Sequence, residues 1–230
     1  MQIIPQLLLD CLDADALFAD DAFAAEEKLD GDRCFVSKAG DYVAATSRTG
    51  LAVRLSDEMI ALAMLSGERF VIDGEMMPGG EFVAFDILAH SRSDCLNWAN
   101  SARAELLRAV SPFRVVERAS GITDKLALFF RVRESRGEGI VFKAINAPYE
   151  GGRSASYQRL KNYETDTFTV TAVDMRNCSV YVSHDGEPRG KVQSSLGKLP
   201  RVGDSVRVRY DKVTEKGKLL RARIVANVRV

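Results

Sequence analysis

The sequence predicts an α+β chain in two parts: antiparallel sheets with packed helices over residues 1–163, then a small β-barrel of the OB type over residues 164–230. Three observations lead there. Up to about residue 160, strand-like runs alternate with helix-length amphipathic ones, whereas after Asp166 only short β-type segments separated by turns remain. The charge also changes sign along the chain. Residues 153–230 hold 16 Lys+Arg against 8 Asp+Glu, and residues 1–152 hold 16 against 24. About five strands in the last stretch fit a small barrel better than a sandwich of about seven.

Taken in order, residues 1–21 read as a helical entry segment, with Leu7, Leu8, Leu9 and Leu12 on one side and Asp10, Asp13 and Asp15 on the other. Strand signals follow at 23–28, 33–37 and 42–47. Ser56-Asp57-Glu58 supplies a helix start before the apolar run 59–65. The runs 70–77 and 81–88, joined around Pro78-Gly79-Gly80, predict a hairpin. A helix over 97–110, a short strand at 113–116, a helix over 123–135 and a strand at 139–143 complete the first part. Glycine, proline and serine mark 147–156 as a loop. The barrel strands are expected at 167–173, 179–182, 190–193, 205–210 and 219–225.

Hydrophobic content of 46% supports a real core, and no apolar run approaches the roughly 18 to 20 residues of a membrane span. Met1-Gln2-Ile3-Ile4-Pro5 lacks the basic start of a secretory signal. A soluble, cytoplasmic monomer is the expectation. Cys11, Cys34, Cys95 and Cys178 are scattered, which argues against a zinc module or a disulfide framework. The basic C-terminal part is the expected polyanion surface, with an affinity that falls steeply with salt.

The segment that carries chemistry is Glu26-Glu27-Lys28-Leu29-Asp30-Gly31-Asp32-Arg33. Alone, a lysine beside an Asp-Gly turn reads as a solvated charge. A lysine that attacks phosphorus must instead shed its proton near neutral pH, which requires desolvation and nearby cations or metal. Phe23-Ala24-Ala25 before it and Cys34-Phe35-Val36 after it suit such a partly buried place, with Lys28 at a sheet edge. Further elements follow in sequence: Ser47-Arg48-Thr49-Gly50, Asp73-Gly74-Glu75, Phe85-Asp86, Glu138-Gly139-Ile140-Val141-Phe142-Lys143 and Leu160-Lys161. Each has an ordinary reading as a turn, hairpin or core residue; six in one order do not.

That order, with Lys-x-Asp-Gly-x-Arg at its head, resembles the ATP-dependent DNA ligases of the minimal two-domain type, within the covalent nucleotidyltransferases. The resemblance implies a nucleotidyltransferase domain of ATP-grasp-like antiparallel sheets with helices over 1–163 and an OB domain over 164–230. It implies that Lys28 attacks the α-phosphorus of ATP and holds AMP, which passes to the 5′-phosphate of a nick in duplex DNA before the 3′-hydroxyl displaces it. Glu26, Glu27, Arg33, Glu75, Phe85, Glu138, Lys143 and Lys161 would then hold the nucleotide, with Glu26 near the adenine amino group and Phe85 against the purine face. Glu75 and Glu138 would serve Mg²⁺ or Mn²⁺, and Arg48, Arg33 and Arg153 the nucleic acid. Tyr163 stands where the family has a second lysine, and Arg229 is at best a partial counterpart of its C-terminal basic motif. An RNA ligase, a capping guanylyltransferase, an NAD-dependent ligase and a non-catalytic OB protein are the rival readings. The last two are disfavoured by the absence of room for extra modules and by intact Lys28, Glu75, Glu138 and Lys161.

Overall fold

The computed structural model describes residues 3–194 and 199–228; Met1-Gln2 and Arg229 lie outside the described residues. The chain divides into two compact units, Met1–Leu160 and Lys161–Val230. The first contains β1 (Gln6–Asp10), α1 (Ala14–Ala19), β2 (Phe23–Glu27), β3 (Asp32–Ala39), β4 (Tyr42–Ser47), β5 (Ala52–Val53), α2 (Asp57–Leu65), β6 (Phe70–Met76), β7 (Phe82–His90), β8 (Ser93–Asp94), α3 (Asn100–Val110), β9 (Arg114–Val115), β10 (Arg118–Ala119), α4 (Ile122–Glu134), β11 (Gly139–Ala144) and β12 (Gly152–Lys161). Among the described residues, no helix is long and apolar enough to cross a membrane.

These strands form two sheets. One runs β1-β12-β11-β2-β10; the other runs β5-β4-β3-β6-β7-β8, with β9 added beside β7. Strand alternation gives each sheet an apolar face and a mixed one. Cys34, Val36, Phe70, Ile72, Phe82 and Ile87 pack with Met59 and Ala63 of α2 and Leu107 of α3. Ala25, Ile140 and Phe142 pack with Leu17 and Phe18 of α1 and Leu128 and Val132 of α4. The opposite faces bear the charged residues, and side chains reach from one sheet to the other: Lys143 of β11 donates to the Phe85 carbonyl of β7 at 2.9 Å, and Arg33 of β3 donates to the Gln6 carbonyl of β1.

Local chemistry sets the helix ends. Asp13 caps α1 by accepting from the Ala16 amide, and Ser56 caps α2 by accepting from Met59. No side chain caps α3; the carbonyls of Ala147 and Ile145 accept from its first amides, Asn100 and Ser101.

Two expectations fail in this unit. Residues 6–10 form a strand, not part of a helix, because β1 finds a parallel partner in β12, with Gln6 opposite Gly152 and Leu9 opposite Gln158. Only the Asp13 cap starts a helix, and Leu12 is left exposed. For the same reason residues 152–156 are not loop: pairing with β1 and β11 draws a glycine- and serine-rich stretch into a sheet.

The second unit holds β13 (Glu164–Asp174), β14 (Ser179–His184), β15 (Glu187–Ser194), β16 (Ser205–Tyr210), β17 (Lys212–Val213), β18 (Leu219–Leu220) and β19 (Arg223–Val228). Five of them close into a barrel in the order β13-β14-β15-β19-β16. Phe168, Val170, Val180, Val182, Val192, Val206, Val208 and Ile224 fill it. The alternation along β16 buries Val206, Val208 and Tyr210 and turns Arg207 and Arg209 outward. Residues 219–225 are two strands rather than one, since Arg221 adopts φ 51° between them and breaks the extended run.

Candidate active site

Lys28 follows the last residue of β2, and its amide continues the ladder by donating to the Gly139 carbonyl at 2.8 Å. The strand is flanked by β11 and β10, so Lys28 sits at the end of an inner strand rather than at a sheet edge. Its ammonium lies 2.5 Å from Glu138 Oε2, and both side chains are largely buried. Glu138 reaches it because Gly139, at φ 139°, lets the chain turn where a side-chain-bearing residue would be strained.

Cross-strand partners share a face. Glu26 is opposite Val141 and Ala24 is opposite Lys143, which puts Glu26, Lys143 and Lys28 on the face away from α4. Glu27 is opposite Ile140 and shares its face with the α4 core; its Oε1 lies beside Gly137. The structure therefore does not gather Glu27 with the other candidate nucleotide ligands.

Gly31 is needed for clearance. A Cβ there would stand 2.3 Å from the Met76 carbonyl oxygen and 3.0 Å from Glu75 Cγ. Gly31→Ala is expected to push the Lys28 loop off β6, costing about 1–3 kcal/mol by thermal unfolding and weakening any chemistry at Lys28.

From the other sheet, Arg33 and Glu75 are direct cross-strand partners. Burial pushes the Glu75 carboxyl up to about 7; Lys28 and Arg33 oppose the shift, and Asp73 and Glu138 add to it. Arg33 is gripped from within: Nε and Nη2 donate to Asp73 at 3.0 and 2.6 Å, Nη2 also reaches Tyr149 Oη at 3.0 Å, and Nη1 donates to the Gln6 carbonyl. Its donors thus face protein acceptors, and the guanidinium ties three segments together.

Phe85 is the extra residue of a β-bulge, since Asp73 pairs with Asp86 and Gly74 with Ala84. The bulge sets the Phe85 ring between two cations, 5.4 Å from Arg33 and 4.9 Å from Lys143. Lys143 is 2.5 Å from Glu26 Oε2, and Glu26 Oε1 accepts from Arg118 Nη1 at 2.9 Å. Arg118 and Tyr149 escaped the sequence reading: Arg118 lies in a two-residue strand with no periodicity, and Tyr149 in a stretch read as loop.

The remaining candidates are dispersed. Arg48 is exposed on a tight turn between β4 and β5, where Ser47 Oγ accepts from the amides of Thr49 and Leu51. The pairing of Cys34 with Ser47 carries Arg48 to the same end of its sheet as Arg33. Arg153 is exposed on β12. In the second unit, Lys161 lies 3.3 Å from Asp211 Oδ2, and Arg209 covers the Tyr163 ring at 4.2 Å.

Among the described residues, no group of three or more His, Cys, Asp or Glu forms a metal cage. Glu75 and Glu138 nevertheless offer two hard oxygen donors beside Lys28. That set fits Mg²⁺, which takes one or two carboxylates and completes its shell from water and phosphate.

A family model described as RNA ligase matches residues 21–161. A protein of Streptomyces avermitilis named "Probable DNA ligase" is 33% identical over 192 residues, covering 66% of this chain and 38% of its own length. One of the same name from Nocardioides sp. is 31% identical over 207 residues, covering 75% and 40%. The chain thus spans well under half the length of these relatives. Among solved structures, one from a structure–function study of Lig E DNA ligases and their minimal scaffold superposes with a TM-score of 0.76 at 19% identity, over 99% of this chain and 100% of the other. A mycobacterial DNA ligase D complexed with ATP gives 0.59 at 21% identity, over 97% and 94%. These likenesses make the fold a mixed, sheet-rich one matching ligase nucleotidyltransferase domains.

Proposed function

The chain belongs to the RNA ligase family, and from that premise we propose that it is an ATP-dependent DNA ligase sealing 3′-hydroxyl/5′-phosphate nicks in duplex DNA. The observation that carries the reading is the Lys28 amine held on one face with Glu138 at 2.5 Å and with Glu75 close enough to feel its charge. Lys28 Nζ forms a bond to the α-phosphorus of ATP as the bond to pyrophosphate breaks. The AMP so held passes to the 5′-phosphate, and the 3′-hydroxyl then displaces it. A divalent cation held by Glu75 and Glu138 would offset charge on the phosphates. Glu138 orients the Lys28 amine, Lys143 and Glu26 close the inner end of the pocket, and the Phe85 ring packs against the base.

We further propose that the first unit is the nucleotidyltransferase domain and the barrel an OB fold. Its outward Arg207 and Arg209, with Arg223 opposite Arg209, form a basic face suited to phosphates. Arg48 and Arg153, both exposed, would add phosphate contacts, while Arg33 acts by holding Asp73 and Tyr149 in place. The names of the relatives favour DNA as substrate, and the match to the RNA ligase family favours RNA as the second reading.

Incubation with labelled ATP, GTP or NAD and Mg²⁺, followed by denaturing electrophoresis, tests the first step: label retained from ATP supports it, and label from GTP or NAD alone overturns it. Sealing of nicked DNA against nicked RNA tests the substrate; joining of RNA alone would favour the second reading.

Glu75 gives a pH dependence with a definite sign. Its carboxyl sits near 7 in the fold against an ordinary 4.5, so the folded state binds the extra proton between those values and loses stability as pH rises through that window. Activity runs the other way, since only the ionised carboxylate ligates metal. Glu75→Gln is expected to abolish nick sealing while raising stability at pH 8 by about 1 kcal/mol after allowance for solvent screening. Denaturant titrations of both proteins at pH 5 and pH 8 check this, the gain vanishing at the lower pH.

A further inference from the structure

We infer that Tyr149 and Tyr157 are positioning residues for lysine labelling: through two matching clamps they hold the sheet that carries Lys28 against the strands that carry Glu75 and Phe85, Tyr149 governing the chemical step and Tyr157 the grip on ATP. The inference rests on the nucleotidyltransferase reading above and adds to it two residues that none of the motifs contains.

Asp73 and Asp86 are cross-strand partners in the β6–β7 hairpin, so two carboxylates, at 0% and 1% exposure, stand side by side. Like charges directly opposite repel, and burial strengthens the repulsion. Each is answered by the same set of groups. Arg33 gives Asp73 two bonds, from Nε and Nη2, and turns Nη1 to a backbone carbonyl, that of Gln6. Arg103 does the same for Asp86, with Nη1 turned to the carbonyl of Trp98. A tyrosine completes each set. Tyr149 Oη donates to Asp73 Oδ2 at 2.9 Å and accepts from Arg33 Nη2 and the Gln6 amide. Tyr157 Oη donates to Asp86 Oδ2 at 2.8 Å and accepts from Arg103 Nη2 and Asn100 Nδ2. Each hydroxyl thereby uses its one proton and both lone pairs. The Arg103 guanidinium, 5.8 Å from the Tyr149 ring, joins the two clamps.

The arginines alone balance the charge, so the tyrosines contribute something further. Both come from one short stretch of the sheet that carries Lys28: Tyr149 lies just before β12 and Tyr157 within it, and β12 neighbours β11, which pairs with β2. Asp73 and Asp86 belong to the other sheet. The two hydroxyls are therefore ties between the sheets, made in the interior, where a hydrogen bond to a charged group is strong. They end at different places. Asp73 is two residues before Glu75 on the same face of β6, and the Glu75 carboxyl feels the charge of Lys28. Asp86 directly follows Phe85, the bulged residue proposed to pack against the base. Loosening the first tie displaces Glu75 from Lys28, and loosening the second displaces the ring. A shift of about 1 Å at reacting groups can cost on the order of 100-fold in rate.

The test is single-turnover labelling over a range of ATP concentrations with the wild-type protein, Tyr149→Phe and Tyr157→Phe, well below each melting midpoint. Either substitution leaves the arginine its bonds to aspartate and backbone, so both variants fold, with similar losses in melting temperature. Tyr149→Phe should lower the maximal labelling rate about 10-fold or more and change the half-saturating ATP concentration by less than about 3-fold. Tyr157→Phe should do the reverse, raising half-saturation about 5- to 10-fold with the maximal rate held within about 3-fold. Asn100→Ala, which removes one donor to the Tyr157 hydroxyl and none to Asp86, should reproduce the Tyr157→Phe pattern in milder form. A merely structural role predicts matching losses of stability with no such split. Normal wild-type labelling with the same change in both tyrosine variants, or with none in either, therefore overturns the inference alone. So does Asn100→Ala lowering the maximal rate without moving half-saturation. Absence of labelling in the wild type overturns the proposed function and this inference with it.

Discussion

Lys28→Ala is expected to abolish retention of labelled AMP, a loss on the order of 10³-fold or more, and to lower stability as well, because it removes the ammonium beside the largely buried Glu138 carboxylate. Lys143, the nearest lysine on the same face, is almost fully buried and held by Glu26 and the Phe85 carbonyl. Lys28→Arg should be equally silent, because a guanidinium stays protonated and is no nucleophile. The alanine variant also removes a cation that opposes the raised carboxyl of Glu75, so that group should titrate higher still. Denaturing electrophoresis gives the first result; melting curves of Lys28→Arg, which keeps a cation beside Glu138, show that the loss belongs to chemistry rather than folding. Retained label in Lys28→Ala would move the nucleophile elsewhere.

Much of this site is legible in the sequence because its residues sit on short regular strands, where spacing fixes the face. Glu26 and Lys28 alternate with Glu27, and the Phe70–Met76 and Phe82–His90 hairpin follows from Pro78-Gly79-Gly80. Where the reading fell short, long-range pairing decides. Nothing local in Gln6-Leu7-Leu8-Leu9-Asp10 shows that its partner lies some 150 residues on, in a stretch that reads as loop. Arg33 is another case: its motif points toward phosphate, while its donors meet Asp73, Tyr149 and Gln6, which no spacing brings together. Gly31 looks like a turn residue, but is required by the approach of the Met76 carbonyl from a different strand. Phe85 reads as an ordinary strand residue until the register exposes the bulge that aims it.

That bulge is underpinned by a fully buried ion pair, and breaking it carries the second large expected effect. Asp86, adjacent to Phe85, accepts from Arg103 Nε and Nη2 at 2.8 and 3.1 Å and from Tyr157 Oη at 2.8 Å, and neither charge is exposed beyond 1%. Burial opposes ionisation of Asp86, and the Arg103 guanidinium outweighs it, leaving the carboxyl below its ordinary range. The pair therefore stabilises the fold at neutral pH and fails only as pH falls through the depressed value. Arg103→Met should cost about 3–5 kcal/mol, since it strands a buried carboxylate. Asp86→Leu should cost a similar amount by stranding the guanidinium. Combining the two removes both charges, and the double variant should recover most of the loss. Recovery of stability need not restore function. The Phe85 carbonyl that accepts from Lys143 leads directly into Asp86, so repacking with apolar side chains should relax the bulge and raise the KM for ATP while kcat changes less. Denaturant titration and labelling kinetics on the four proteins of this cycle separate the two effects, and a double variant with wild-type KM would show that the bulge holds Phe85 without its buried charges.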